Sequence, residues 1–110
     1  MIPKTRKLNS TEHKEVLSLG ARKHSSVFIL YCLKKENEKT KCAVVIPKKV
    51  SKKAVLRNKN RRKVFDTITN IYPHILPEYH FVLMARTKIE TLSHEVLLSE
   101  VKSIFRQFLN

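Results

Sequence analysis

From residue 48 to residue 63 the chain reads KKVSKKAVLRNKNRRK, nine lysines and arginines with no acid among them. So much unpaired charge cannot be buried, because each ion removed from water without a partner costs several kcal/mol or more. Yet the segment runs without glycine or proline into VFDTITNIY, where Val64, Phe65, Ile68, Ile71 and Tyr72 recur at spacings of three and four. This periodicity predicts a helix over 54–72, ended by Pro73 and Pro77. At 100° per residue Arg57 and Arg61 share the azimuth of Val64 and Ile68, so one stripe is cationic in the early turns and apolar in the later ones. Such a helix packs with its C-terminal half and offers its N-terminal half to a partner. Its first turn adds unpaired backbone N–H groups and a partial positive charge, which suit phosphate.

The other elements must build a core that this helix can join. Asn9 and Glu12 read as a capping box, and Val16, Leu17 and Leu19 give a short apolar face, predicting a helix near 10–19 with Gly20 as its C′ stop. VFILYCLK (27–34) and KCAVVIP (41–47) are β-branched and aromatic runs joined by KENEKT, and they are expected to form an antiparallel hairpin. Both parities of the first run are apolar: Val27, Ile29, Tyr31 and Leu33 on one face, Phe28, Leu30 and Cys32 on the other. Either both faces of the sheet are covered or one is a binding cleft. YHFVLMA (79–85) predicts a further strand. Ser93 and Glu95 open a last helix with the stripe Leu97, Val101, Ile104, Phe105 and Phe108.

With 110 residues, 42% of them hydrophobic and 29% charged, the chain has material for one core, and residues 1–110 are expected to form a single soluble domain. The formal charge of +14 calls for a polyanion, nucleic acid before an anionic membrane surface. No apolar stretch nears the roughly 18 residues of a membrane span, and MIPKTRKLNSTEHKE lacks the apolar region of an export signal, so the expected location is cytoplasmic. Cys32 and Cys42 are the only cysteines, each inside an apolar run, and are expected to be reduced core thiols. A single glycine excludes glycine-rich nucleotide loops. One aspartate and scattered glutamates do not make the convergent carboxylates of a two-metal nuclease. His24, His74, His80 and His94 lie on different elements without ligand spacing, and no protein metal site is expected.

The basic segment resembles the signature of the bacterial ribonuclease P protein subunit, an Arg-Asn-Arg helix following a strand that ends in a Lys-Lys pair. The resemblance spans nearly the whole chain: Leu8, Val16, Gly20, FILY ending at Tyr31, Lys48 and Lys49, Ala54 and Val55, then Arg57, Asn58, Arg61 and Arg62, and Ala85 with Arg86. Lys59, Asn60, Phe65 and Asp66 depart from the commonest pattern, as do His13, Leu17 and Pro47. Asn60 falls near the apolar stripe, where it must lie at the rim or hydrogen-bond inward.

The resemblance implies an α+β fold: a two-layer α/β sandwich in helix-strands-helix-strand-helix order, with a four-stranded mixed sheet and a left-handed βαβ crossover, as in a ribosomal-protein domain. A short strand near residues 21–23 would supply the fourth. It implies an accessory protein of a ribonucleoprotein endonuclease with no catalytic residue of its own. The catalytic RNA subunit cleaves the 5′ leader from precursor tRNA with Mg²⁺ bound mainly by RNA, and the partners are that RNA and precursor tRNA, without membrane or small-molecule substrate. By position, RNA binding falls to Lys48, Lys49, Lys52, Lys53, Arg57, Asn58, Lys59, Arg61, Arg62 and Lys63. The cleft for the single-stranded leader falls to His13, Leu17, Ile29 and Tyr31. The competing readings are a stand-alone RNA-binding or ribosomal protein, which would leave tRNA 5′ maturation untouched, and a self-sufficient nuclease.

Overall fold

A computed structural model describes residues 7–109. Helix α1 (Ser10–Leu19) is followed by strands β1 (Ala21–His24), β2 (Phe28–Lys34) and β3 (Lys41–Val45), helix α2 (Ala54–Ile71), strand β4 (Tyr79–Ala85) and helix α3 (His94–Phe105). Short 3₁₀ turns follow α2 and α3. The capping box is present: Asn9 Oδ1 accepts from the Glu12 N–H at 2.8 Å, and Glu12 Oε1 accepts from the Asn9 N–H at 3.0 Å.

The expected pairing of β2 with β3 does not occur. The sheet order is β1-β2-β4-β3, with β4 antiparallel to β2 and parallel to β3. Burial explains the insertion: Phe81, Val82 and Leu83 of β4 are all fully enclosed, which requires a strand flanked on both edges and covered on both faces. The KENEKT connector passes over the end of β4 instead of closing a tight turn. Glu78 holds it, accepting from the Lys35 N–H through its carbonyl (2.8 Å) and from the Asn37 N–H through its carboxylate (3.2 Å). The real hairpin is β1–β2, where Ser25 Oγ accepts from the Phe28 N–H at 3.0 Å. It contains the short strand expected near residue 21. The parallel pair β3 and β4 is joined through α2, the crossover unit that the family resemblance implies.

On one sheet face Phe28, Leu30, Cys42, Val44, Phe81, Leu83 and Ala85 form a core with Val64, Ile68 and Ile71 of α2 and Leu97, Val101, Ile104 and Phe105 of α3. Phe81 meets the rings of Phe105 and Phe108 edge-on, each at 5.1 Å. Burial pushes the Cys42 thiol up to about 12 and raises Cys32 as well, which favours the protonated thiol at both positions. On the other face α1 lies across part of the sheet, seated by the fully buried Val16.

Gly20 ends α1 for a reason different from the usual C′ glycine. Its φ of −72° and ψ of 153° are open to any residue. A Cβ there, however, would lie 2.5 Å from the Val16 carbonyl oxygen and 2.8 Å from that of Cys32, because the chain turns directly from α1 into β1 against β2. Both obstacles are backbone and cannot swing aside. Gly20→Ala is therefore expected to lower unfolding free energy by about 1–3 kcal/mol, outweighing the roughly 0.4–1 kcal/mol that alanine gains through the unfolded chain. Urea denaturation measures it; unchanged or increased stability would contradict the close-approach account.

Candidate nucleic-acid interface

Because β3 and β4 are parallel neighbours, their C-terminal ends lie at one end of the sheet, together with the start of β2. The basic segment leaves β3 there. Pro47 O accepts from the N–H groups of Val50 and Ser51, each at 3.0 Å, and the buried Val50 anchors the loop, leaving Lys48, Lys49, Lys52 and Lys53 exposed. Along α2, Asn58, Lys59, Arg61 and Arg62 are also exposed. The Arg61 guanidinium donates to Asn58 Oδ1, tying these two side chains together one turn apart.

Three basic-helix positions are more constrained than the sequence suggests. Arg57 is half-buried, and its Nη1 donates to the carbonyls of Ser51 (3.2 Å) and Lys52 (2.8 Å), bracing the loop that carries the lysines. Lys63 is half-buried and donates to Leu92 O at 2.6 Å, which draws its ammonium toward the segment before α3 and away from the exposed cations. Asn60 is buried and bonds inward, its Nδ2 donating to Glu90 Oε1 at 2.9 Å. This contact satisfies the amide that would otherwise sit unpaired beside the apolar stripe.

The β4–α3 loop contributes cations that sequence reasoning left out of the site. Arg86 and Lys88 are exposed and, with Lys49, line a depression at this end of the sheet; Arg86 Nη1 also donates to Ser25 O at 2.5 Å. Their signal was the close approach of two basic residues to the end of the YHFVLMA run. It becomes readable only once β4 is known to lie beside β3.

An apolar groove opens on the outer sheet face at the same end. Register aligns Ile29, Met84 and Val45 across three strands, and next to them Tyr31, Val82 and Ala43. Of these Val82 is sealed, while Ile29, Tyr31, Ala43, Val45 and Met84 remain half-buried. The cause is the placement of α1. Glu12 pairs with Lys41 (2.7 Å) and Glu15 with Lys35 (2.9 Å), drawing one flank of the helix to the far end of the sheet over the row of Leu33, His80 and Lys41. On the helical wheel His13 and Leu17 lie on the opposite flank from Glu12 and Glu15, away from that ion-paired end. Of the expected cleft residues, Ile29 and Tyr31 share the half-buried outer sheet face with Val45 and Met84.

Beneath α1, ligand atoms of Glu12, Glu38 and His80 lie within 4.8 Å of one another. Lys41 and Lys35 already neutralise the two carboxylates, at 2.7 and 3.7 Å, so the group works as the ion-pair seat of α1. Burial would raise the Glu12 carboxyl, but the Asn9 N–H and Lys41 outweigh it and hold it below the ordinary range. Burial lowers His80, keeping the ring neutral despite the attraction of Glu12 and Glu38.

Similarity to known proteins fits this arrangement. The Ribonuclease P family model matches residues 2–109. The ribonuclease P protein component of Picosynechococcus sp. is 30% identical over 107 residues, covering 96% of this chain and 92% of the relative. That of Rippkaea orientalis is 32% identical over 109 residues, covering 94% and 86%. Among solved structures, the Staphylococcus aureus RNase P protein superposes with a TM-score of 0.82 at 16% identity, covering 98% of this chain and all of that one. The Thermotoga maritima protein also gives 0.82 at 16% identity, with 94% and 98% covered.

Proposed function

The chain belongs to the ribonuclease P protein family, and from that premise we propose that it assists a catalytic RNA in removing the 5′ leader of precursor tRNA. The observation that carries this reading is the meeting of two surfaces at one end of the sheet. One is cationic, formed by the 48–53 loop, α2 and the β4–α3 loop; the other is the apolar groove of Ile29, Tyr31, Val45 and Met84. Guanidinium and ammonium groups neutralise phosphates and set the protein's position on a folded RNA. A half-open groove floored by a tyrosine ring can take unpaired bases, which a duplex keeps stacked inside. A single-stranded leader emerging from a structured RNA would present both chemistries in sequence.

The division of labour follows from the side chains. Lys48, Lys49, Lys52, Lys53, Lys59, Arg61 and Arg62 contact RNA phosphates, and Asn58, oriented by Arg61, bonds a sugar hydroxyl or phosphate. Arg57 acts chiefly by fixing the lysine loop, and Lys63 stays peripheral. His13, Leu17, Ile29 and Tyr31 hold the leader. Hydrolysis is assigned to the RNA: among the residues lining the depression beside the 47–53 loop Glu90 is the one carboxylate, and it is engaged by Asn60, whereas a two-metal site needs convergent carboxylates. Mg²⁺ would be held mainly by RNA phosphates and would there supply an activated water. Among the described residues no helix is long and apolar enough to cross a membrane, and the reading places the protein in the cytoplasm with its RNA.

Leader recognition is tested with Tyr31→Ala in the assembled ribonucleoprotein. Loss of one stacking contact of about 1–3 kcal/mol predicts a roughly 5- to 150-fold weaker affinity for leader-bearing precursor, with mature tRNA bound as before. Equal losses for both substrates would remove the groove from leader binding. A lowered melting temperature would make Tyr31 a packing residue instead.

A further inference from the structure

Between the 47–53 loop, the first turn of α2 and the β4–α3 loop lies a depression of about 450 Å³. Lys49, Ser51, Lys52, Lys53, Lys88 and Glu90 line it. Ser51 is 4% exposed, and its Oγ has no hydrogen-bond partner. Native proteins seldom leave a buried hydroxyl unpaired, and when they do a ligand is a natural explanation. Beside it begins an 18-residue helix whose N-cap, Lys53, makes no side-chain cap and whose first turn holds no acid. The first intrahelical donor is the Arg57 N–H, bonded to Lys53 O at 3.0 Å, so the N–H groups of Ala54, Val55 and Leu56 have no partner within the helix. The Arg57 side chain meanwhile grips the carbonyls of Ser51 and Lys52 and fixes the loop against that turn. Glu90 would repel an anion, but its carboxylate is turned to Asn60 at 2.9 Å.

We propose that this depression is a discrete phosphate-binding site, in which one phosphoryl group of an RNA strand accepts from Ser51 Oγ and from the free N–H groups of the first turn of α2. The surrounding ammonium groups of Lys49, Lys52, Lys53 and Lys88 balance its charge. The site rests on the reading of this surface as RNA-binding and sharpens it. Ammonium groups on flexible stems attract phosphates without fixing their position, whereas a buried hydroxyl and rigid backbone donors hold one phosphate at one place. That single anchor would set the register of α2 along its RNA.

Titration with inorganic phosphate at constant ionic strength, followed by backbone amide NMR, tests the site without any RNA. Saturable shifts should concentrate on residue 51 and residues 54–56. Ser51→Ala should weaken phosphate binding roughly tenfold, the size of one hydrogen bond to a charged group. Lys88→Ala, on the exposed opposite wall, should weaken it too, and Lys14→Ala, on α1 away from the depression, should not. The spectra themselves report whether each variant is folded. Shifts spread evenly over all basic residues, or wild-type phosphate binding by Ser51→Ala, would overturn the proposal. Short single-stranded RNAs ending in a 5′-phosphate or a 5′-hydroxyl then identify the source of the phosphate. A preference for the 5′-phosphate that Ser51→Ala abolishes assigns a terminal phosphate; equal binding of both, weakened by the same change, assigns an internal one. If Ser51→Ala weakens neither RNA, the site does not serve RNA. Because the phosphate titration involves no catalytic RNA, it can fail while the proposed function stands, and the reverse.

Discussion

Simultaneous replacement of Lys59, Arg61 and Arg62 by alanine is expected to weaken affinity for the catalytic RNA by roughly a hundred- to ten-thousand-fold, as three charge-assisted phosphate contacts of about 1–2 kcal/mol each would give. All three side chains are exposed on α2, and the one bond among them is the surface contact between Arg61 and Asn58, so the melting temperature should hardly change. Salt provides the stricter criterion. Each phosphate neutralised releases counterions, so the slope of log affinity against log salt should fall in magnitude by about 2–3 units, at about 0.7–0.9 per contact. Different RNA sequences should be weakened alike, because phosphate contacts carry no base information. Parallel salt lines for wild type and variant would reduce these residues to solvated bystanders. Arg57→Ala should behave differently and lower stability as well, because its guanidinium braces the carbonyls of Ser51 and Lys52.

Where periodicity was strong the sequence was legible. The α2 pattern of cations passing into apolar residues, the YHFVLMA strand, the Asn9–Glu12 box and the Ser93 cap all stand where local signals place them. Partner choice in the sheet was not legible. Two strand-like runs with a charged connector between them satisfy every local criterion for a hairpin. What separates them is the burial of Phe81, Val82 and Leu83, a property of the whole core that no window around residues 27–47 contains. That error hid the rest of the site. With β4 beside β3, Arg86 and Lys88 join Lys49, and Met84 and Val45 join Ile29. Asn60 posed a similar problem, because its partner Glu90 lies thirty residues along the chain.

The charge of the basic stripe was clear from the sequence, but its use was not. Arg57, Lys63 and Arg61 look alike as letters, yet one fixes a loop, one caps a carbonyl before α3 and one remains exposed beside Asn58. Helical azimuth sets Lys63 apart but not Arg57 from Arg61, since both share the stripe of Val64 and Ile68. The position of the carbonyl acceptors separates those two, and tertiary structure alone sets it.

The most direct measurement is the cleavage of precursor tRNA by the catalytic RNA with and without this protein, at an Mg²⁺ concentration too low for the RNA to act well alone. Phosphates crowd where the leader meets the RNA. A protein of charge +14 that neutralises them and holds the leader in a groove replaces part of the screening Mg²⁺ would have to supply. One stacked leader base alone adds about 1–3 kcal/mol to substrate binding, so cleavage below saturation should rise at least about fivefold, with the 5′ end of mature tRNA as the product. The gain should shrink as Mg²⁺ is raised, and the protein without RNA should cleave nothing. Unchanged cleavage in the presence of folded, RNA-bound protein would contradict the account and leave a stand-alone RNA-binding protein, while cleavage by the protein alone would place the chemistry on this chain.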